Sequence, residues 1–192
     1  IKLECLIQKI SSELFKLVRK VQNKNTFRFF NYKWKKVPTW AIVTEKKYVN
    51  WYIKRYKYKN KANLKKFLKT KQYILEAGCG LARDSKLFAD LNKKAKIYAC
   101  DQSINSIRIA RRNLKDYKNI NIFRQDITKK FSKKIKYDFI SCDQVLHHTP
   151  KPGKTLKNLY SCLNKNGYLN FFVCRKKNVF RDFIDDEIMN YF

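Results

Sequence analysis

The sequence predicts an α/β fold: a doubly wound, mostly parallel sheet carrying an α-helical N-terminal cap. Three observations carry that prediction. From Tyr73 onward short apolar runs alternate with helical segments, the pattern of strands joined by crossover helices. The first of these runs passes into a glycine-containing turn, Ala77-Gly78-Cys79-Gly80, and then into a helix. Before Tyr73 the periodicity is helical and the charge strongly basic.

Taken in order, residues 1–21 place Leu3, Ile7, Ile10, Leu14, Leu17, Val18 and Val21 at three- and four-residue spacing, one apolar stripe with lysines opposite. This amphipathic helix is expected to pack on its own domain rather than on a membrane. Residues 27–40 read as an aromatic, basic connector, because Pro38 opposes a helix through them. Thr44 is placed to cap a helix running to Tyr58, and residues 62–68 form another. Strands are expected at 73–76, 96–100, 120–123, 137–142 and 168–173. Between them lie helices at 83–91, 104–115 and 154–163 and a turn around 128–131, while Asn166-Gly167 reads as a turn before the fifth strand. Residues 175–192 read as a helix. No Gly/Ser linker or repeat interrupts the chain, so residues 1–70 are read as a helical cap and 71–192 as the ligand-binding domain.

Composition narrows the function classes. A hydrophobic fraction of 44% with 15% aromatics excludes a disordered polar chain despite a net charge of +30. The first 72 residues hold 21 basic and 3 acidic residues, so an anionic partner would meet them first. Yet lysine outnumbers arginine 35 to 10, and arginine is the usual residue for bidentate phosphate contacts. Biased composition is therefore preferred over nucleic-acid binding, and the aromatics among the lysines at 48–58 suit either base stacking or helix-to-core packing. Six cysteines show no CxxC pair and no zinc-type spacing, which fits buried thiols in a reducing, cytoplasmic setting without disulfides or metal. No apolar run approaches the roughly 20 residues of a membrane span.

The segment that carries chemistry is Tyr73-Ile-Leu-Glu-Ala-Gly-Cys-Gly-Leu-Ala-Arg-Asp84. Gly78 and Gly80 let the backbone turn tightly and let a ligand approach without a Cβ in the way. Asp101, 23 residues after Gly78, ends the second strand where an acid accepts hydrogen bonds from ribose hydroxyls. A dinucleotide fingerprint requires a third glycine where Arg83 stands, and Glu76 sits two residues before Gly78. That acid suits a ligand with an ammonium group better than it suits a pyrophosphate.

Leu75-Glu-Ala-Gly-Cys-Gly80 resembles the first motif of class I S-adenosylmethionine-dependent methyltransferases, and Tyr98-Ala-Cys-Asp101 resembles the second. Phe123-Arg-Gln-Asp126-Ile127 resembles the third-strand motif, and Tyr137-Asp-Phe-Ile-Ser-Cys-Asp-Gln-Val-Leu-His-His148 the fourth-strand motif of the small-molecule, type 11 branch. The resemblance spans about 73–173 and implies a Rossmann-like sheet and S-adenosylmethionine as cofactor. It places Gly78, Cys79 and Gly80 at the methionine moiety, Asp101 and Gln102 at the ribose, and Asp126 with Ile127 at the adenine. Ala82 stands where many members have a third glycine. Such proteins usually finish with two further strands after the fifth, so the C-terminal strands are expected to be missing here.

The resemblance also implies methyl transfer, an in-line displacement in which aligning nucleophile and methyl supplies much of the rate. Asp143, His147 and His148 follow the fourth strand beside the expected methyl position, and a base is needed only if the acceptor must lose a proton. No third ligand accompanies the two histidines, so no metal is expected. The expected acceptor is a small molecule. An RNA acceptor, a non-catalytic nucleoside-binding module and, more remotely, a dehydrogenase remain alternatives, and the oligomeric state is open. Asp126 equally suits capping the turn that follows it. Arg83 and Asp84 are read as a surface pair on the first helix, with Arg83 also able to reach a carboxylate of cofactor or substrate, and Asp138 is given no role.

Overall fold

The computed structural model describes residues 28–36, 45–131 and 135–173. The expected helices at 1–21 and 175–192, and Thr44, lie outside the described residues. Five parallel strands form one sheet in the order β3-β2-β1-β4-β5. They are β1 (Tyr73–Ala77), β2 (Lys96–Asp101), β3 (Ile120–Arg124), β4 (Tyr137–Asp143) and β5 (Leu163–Phe172). Helix α1 covers 28–36, followed by α2 (Glu45–Arg55), α3 (Lys61–Lys69), α4 (Arg83–Leu91), α5 (Ile104–Asn113) and α6 (Pro152–Tyr160).

Both faces of the sheet are covered, which is why the central strands read as apolar runs rather than as alternating patterns. Ile74, Ile97 and Phe139 pack with Tyr48, Tyr52, Leu64, Leu68 and Phe88 from α2, α3 and α4. The next residues along, Leu75 and Ile140, face the opposite way with Cys142, Leu146 and Leu159. A third cluster seats Ile107, Ala110 and Leu114, from α5 and its end, on Ala99 and Ile122. The N-terminal ends are pinned by Asp138, which accepts the Gln72 and Tyr73 N–H groups at 2.8 Å each and the Asn164 Nδ2–H at 2.7 Å. Against the upward push of burial, those hydrogen bonds hold its carboxyl below the usual range.

Sequence and structure part at several places. Residues 28–36 are helical rather than a connector. The helices expected to run to Tyr58 and Leu163 end at Arg55 and Tyr160. The fifth strand starts at Leu163, because Asn166 (φ 66°) and Gly167 are absorbed as an irregularity inside it. Tyr137 faces Leu163 while Phe139 already faces Tyr168, and a Cβ on Gly167 would stand 2.9 Å from the Tyr137 carbonyl. Asp84 is not at the surface but 4% exposed.

Candidate cofactor and acceptor site

The strand order reverses direction between β1 and β4, and the cleft beyond the carboxyl ends of those strands is where open α/β sheets bind ligands. The bend after β1 is built there. Gly78 (φ +79°) and Gly80 (φ +52°) are left-handed, and the Gly78 and Cys79 N–H groups both donate to the Cys100 carbonyl at 2.8 Å. The bend is thus fastened to β2. A Cβ on Gly78 would come within 2.5 Å of a Val145 methyl, so the loop after β4 closes on it.

Asp101 stands beside this bend. One carboxylate oxygen accepts the Gly80 N–H at 2.9 Å and the other the Ser103 N–H at 2.8 Å. Burial raises its pKa, and those backbone hydrogen bonds oppose the rise. Gln102 is exposed, its carbonyl accepting Arg124 Nε–H at 3.1 Å. Ile127 is buried, and Asp126 accepts the Thr128 N–H and hydroxyl at 2.9 and 2.6 Å, the turn-capping use of that acid.

Glu76, two residues before the bend, reaches the first turn of α4. It is 6% exposed and accepts the Ser85 N–H at 2.8 Å as well as the Ser85 hydroxyl. Burial and the nearby Asp84 carboxylate push its pKa well up. Its position answers a need of α4, whose N-cap residue Ala82 is left-handed (φ 58°) and offers no side-chain acceptor. The carboxylate that the sequence reading offered to an amino group is engaged by Ser85.

Sequence reasoning missed the network joining α2 to α4 and the end of β4. Tyr48 donates its hydroxyl hydrogen to Asp84, and the Ser141 hydroxyl lies 3.4 Å from that carboxylate and 3.3 Å from the Tyr52 hydroxyl. Burial, then the Asp143 charge, lift Asp84 to a pKa of about 6. Arg83 stacks on Tyr48, its Cζ 3.2 Å from the ring centroid. Asp143 accepts from Arg55 Nη1 at 2.9 Å and from the Tyr56 hydroxyl at 2.8 Å. The guanidinium of Arg55 is held between Trp51 and Phe172, 3.0 and 3.7 Å from their centroids. The aromatic stretch at 48–58 was the available signal, and for Tyr48 and Tyr52 packing is the use the fold makes of it.

His147 and His148 sit in a short 3₁₀ turn, Leu146–His148, their ring centroids 4.0 Å apart. His147 Nδ1 is buried and finds no partner among the described residues. Burial lowers the His147 pKa, opposed by Asp143. His148 keeps an exposed edge, yet desolvation of its covered side, with the charges of His147 and Lys33, lowers it to about 4. Both rings are neutral at pH 7. Among the described residues no group of three or more His, Cys, Asp or Glu side chains could hold a metal ion. No described helix is long and apolar enough to cross a membrane.

A parallel sheet of this order, with a glycine bend after β1 held to the acid that ends β2, defines a nucleoside-binding α/β protein of the methyltransferase type. Residues 75–169 match the model of a family described as a methyltransferase domain. The chain belongs to the class I S-adenosylmethionine-dependent methyltransferases. It is similar to the malonyl-[acyl-carrier protein] O-methyltransferase of Halalkalibacterium halodurans, 31% identical over 101 residues that make up 51% of this chain and 37% of that protein. Coclaurine N-methyltransferase bound to N-methylheliamine and S-adenosylhomocysteine shares the fold at 18% identity and a TM-score of 0.53, over 66% of this chain and 35% of that one. The [4+2]-cyclase SpnF shares it at 16% identity and a TM-score of 0.50, over 56% and 43% of the two chains. The chain spans 25% and 37% of the lengths of two curated relatives it matches.

Proposed function

We propose that this protein transfers a methyl group from S-adenosylmethionine to a small-molecule acceptor. The observation that carries the reading is the Gly78–Gly80 bend after β1, left-handed at both glycines and tied to the acid that ends β2. When bound, the sulfonium supplies an activated methyl group with a neutral leaving group. Gly78, Cys79 and Gly80 line the methionine moiety. Asp101 and Gln102 meet the ribose, for which Asp101 exchanges its Gly80 hydrogen bond, and Asp126 and Ile127 flank the adenine. The chemistry then falls to alignment and exclusion of water by α2 and the loop after β4.

Asp143, with both Arg55 and Tyr56 on one oxygen, positions that loop rather than accepting protons. His147 is the better base for an acceptor that carries a proton, since its imidazole is neutral and its Nδ1 unpartnered. The malonyl group on which the Halalkalibacterium halodurans relative acts is an oxygen acceptor, whereas the solved relative named above is an N-methyltransferase. The acceptor atom therefore has to be read by experiment. Calorimetric titration with S-adenosylhomocysteine against NAD, followed by labelling of a metabolite extract with a radiolabelled methyl donor, tests the proposal. Binding of the first ligand alone and label in a small molecule support it, and failure to bind S-adenosylhomocysteine ends it.

One observation favours a second reading, methylation of RNA. Lys54, Lys57, Lys59 and Lys61 line a hollow of about 500 Å³ at the turn between α2 and α3, beside the residues that hold Asp143. Label appearing in RNA rather than in small molecules would select it.

A further inference from the structure

Helix α1 lies across the mouth of the cleft. Its half-buried residues Phe30, Asn31, Lys33 and Trp34 recur at helical spacing, while Arg28, Phe29, Tyr32, Lys35 and Lys36 are exposed. The covered face makes three contacts with the site. Asn31 Oδ1 accepts the Ser103 hydroxyl at 2.8 Å, just beyond the end of β2. Phe30 meets His148 edge-on, 4.8 Å between centroids, beyond the end of β4. Between them the Trp34 indole rests 3.3 to 3.5 Å from the point where a Cβ on Gly80 would stand, beyond the end of β1.

The last contact decides the inference. Gly80 has a bare Cα face at φ +52°, and the value of such a residue in a binding bend is the space it leaves for a ligand. Here an indole ring lies over that face so closely that a methyl carbon on Gly80 would already touch it, which leaves no depth for a ligand. One volume cannot hold both groups, since packed interiors have no room for a second occupant. We propose that Trp34 is an internal stopper for the methionine end of the cofactor cleft, and that α1 must lift for the nucleoside to enter. The proposal rests on the cofactor reading given above. Lys33 bears on the balance of the closed arrangement: burial and the Arg83 charge lower its pKa, so the seated helix brings two cations together at some cost. The Asn31–Ser103 hydrogen bond offsets part of that cost. A closed fraction lowers apparent affinity in proportion to the open fraction.

The test uses the whole chain with S-adenosylhomocysteine as the probe. Trp34→Ala and Asn31→Ala are each expected to tighten binding by about threefold to tenfold through faster association. Asn31→Ala leaves the indole and the glycine bend unaltered, so it reads the latch even if Trp34→Ala folds poorly. In the wild-type chain, amide hydrogen exchange across 28–36 is expected to speed up when the probe binds. Unchanged or weaker binding by both variants, or slower exchange across α1, overturns the stopper while leaving the cofactor reading intact. If neither wild type nor variants bind the probe, the cofactor reading fails and the stopper with it.

Discussion

Gly78 and Asp84 show how single residues set the terms of this site. Gly78→Ala places a Cβ at φ +79° and within 2.5 Å of Val145, combining left-handed strain with overpacking. The expected cost is about 2 to 4 kcal/mol in denaturant unfolding, with loss of S-adenosylhomocysteine binding. Asp84 titrates at about 6 against an ordinary 3.8, so its contribution to stability is full below 3.8 and lost as the pH rises through 6. Asp84→Asn removes the buried charge but keeps an acceptor for Tyr48. It should stabilise the fold at pH 8 by up to about 3 kcal/mol, an advantage that disappears near pH 4; equal stability at both pH values would refute the assignment. As the base of the proposed reaction His147 would act from its neutral form, and burial lowers its pKa from 6.5. The acid limb of kcat should therefore fall below 6.5, and His147→Ala should lower kcat while leaving cofactor affinity intact. Unchanged turnover would remove that ring from the mechanism.

At the scale of elements, what could be read from sequence depended on how far apart the partners lie. Helix α4 begins and ends where periodicity put it, and the first four strands lie under their apolar runs, because each signal is contained in its own segment. The Asp84–Tyr48 bond spans 36 residues and the Arg55–Asp143 pair 88, and no local pattern announces either. A charged residue in the first turn of a helix reads as surface until its partners are known. Helix α1 was obscured differently, because the reading of Pro38 as a helix breaker was extended over the whole of 27–40, and 28–36 are helical. Element-level docking is testable through Arg55 and Asp143, whose side chains are 13% and 7% exposed. Arg55→Ala strands a buried carboxylate and should cost about 3 kcal/mol or more, whereas Arg55→Met with Asp143→Leu, which removes both charges, should cost less than the single change. A double variant worse than either single change would show that the pair is valued for something besides its charge balance.

For the whole molecule, the fold was legible because four ordered motifs agree on one sheet, and the bend after β1 meets the acid after β2 as those motifs imply. Net charge was less informative: with 35 lysines in 192 residues, any hollow on the cap side acquires a basic rim. Binding to RNA should accordingly weaken steeply as salt rises and show little preference among sequences, with no label transferred to the polymer. Tight, sequence-selective binding that survives 0.2 M salt, to take about the upper end of the usual range, would favour the RNA reading. Cys79, Cys100, Cys142 and Cys162 are all buried and unpaired, and burial raises the pKa of each thiol. Four silent sulfurs at different depths, one inside the glycine bend and two in strands at the sheet's centre, give the molecule a native stopwatch: the order in which a thiol reagent consumes them times how each layer breathes.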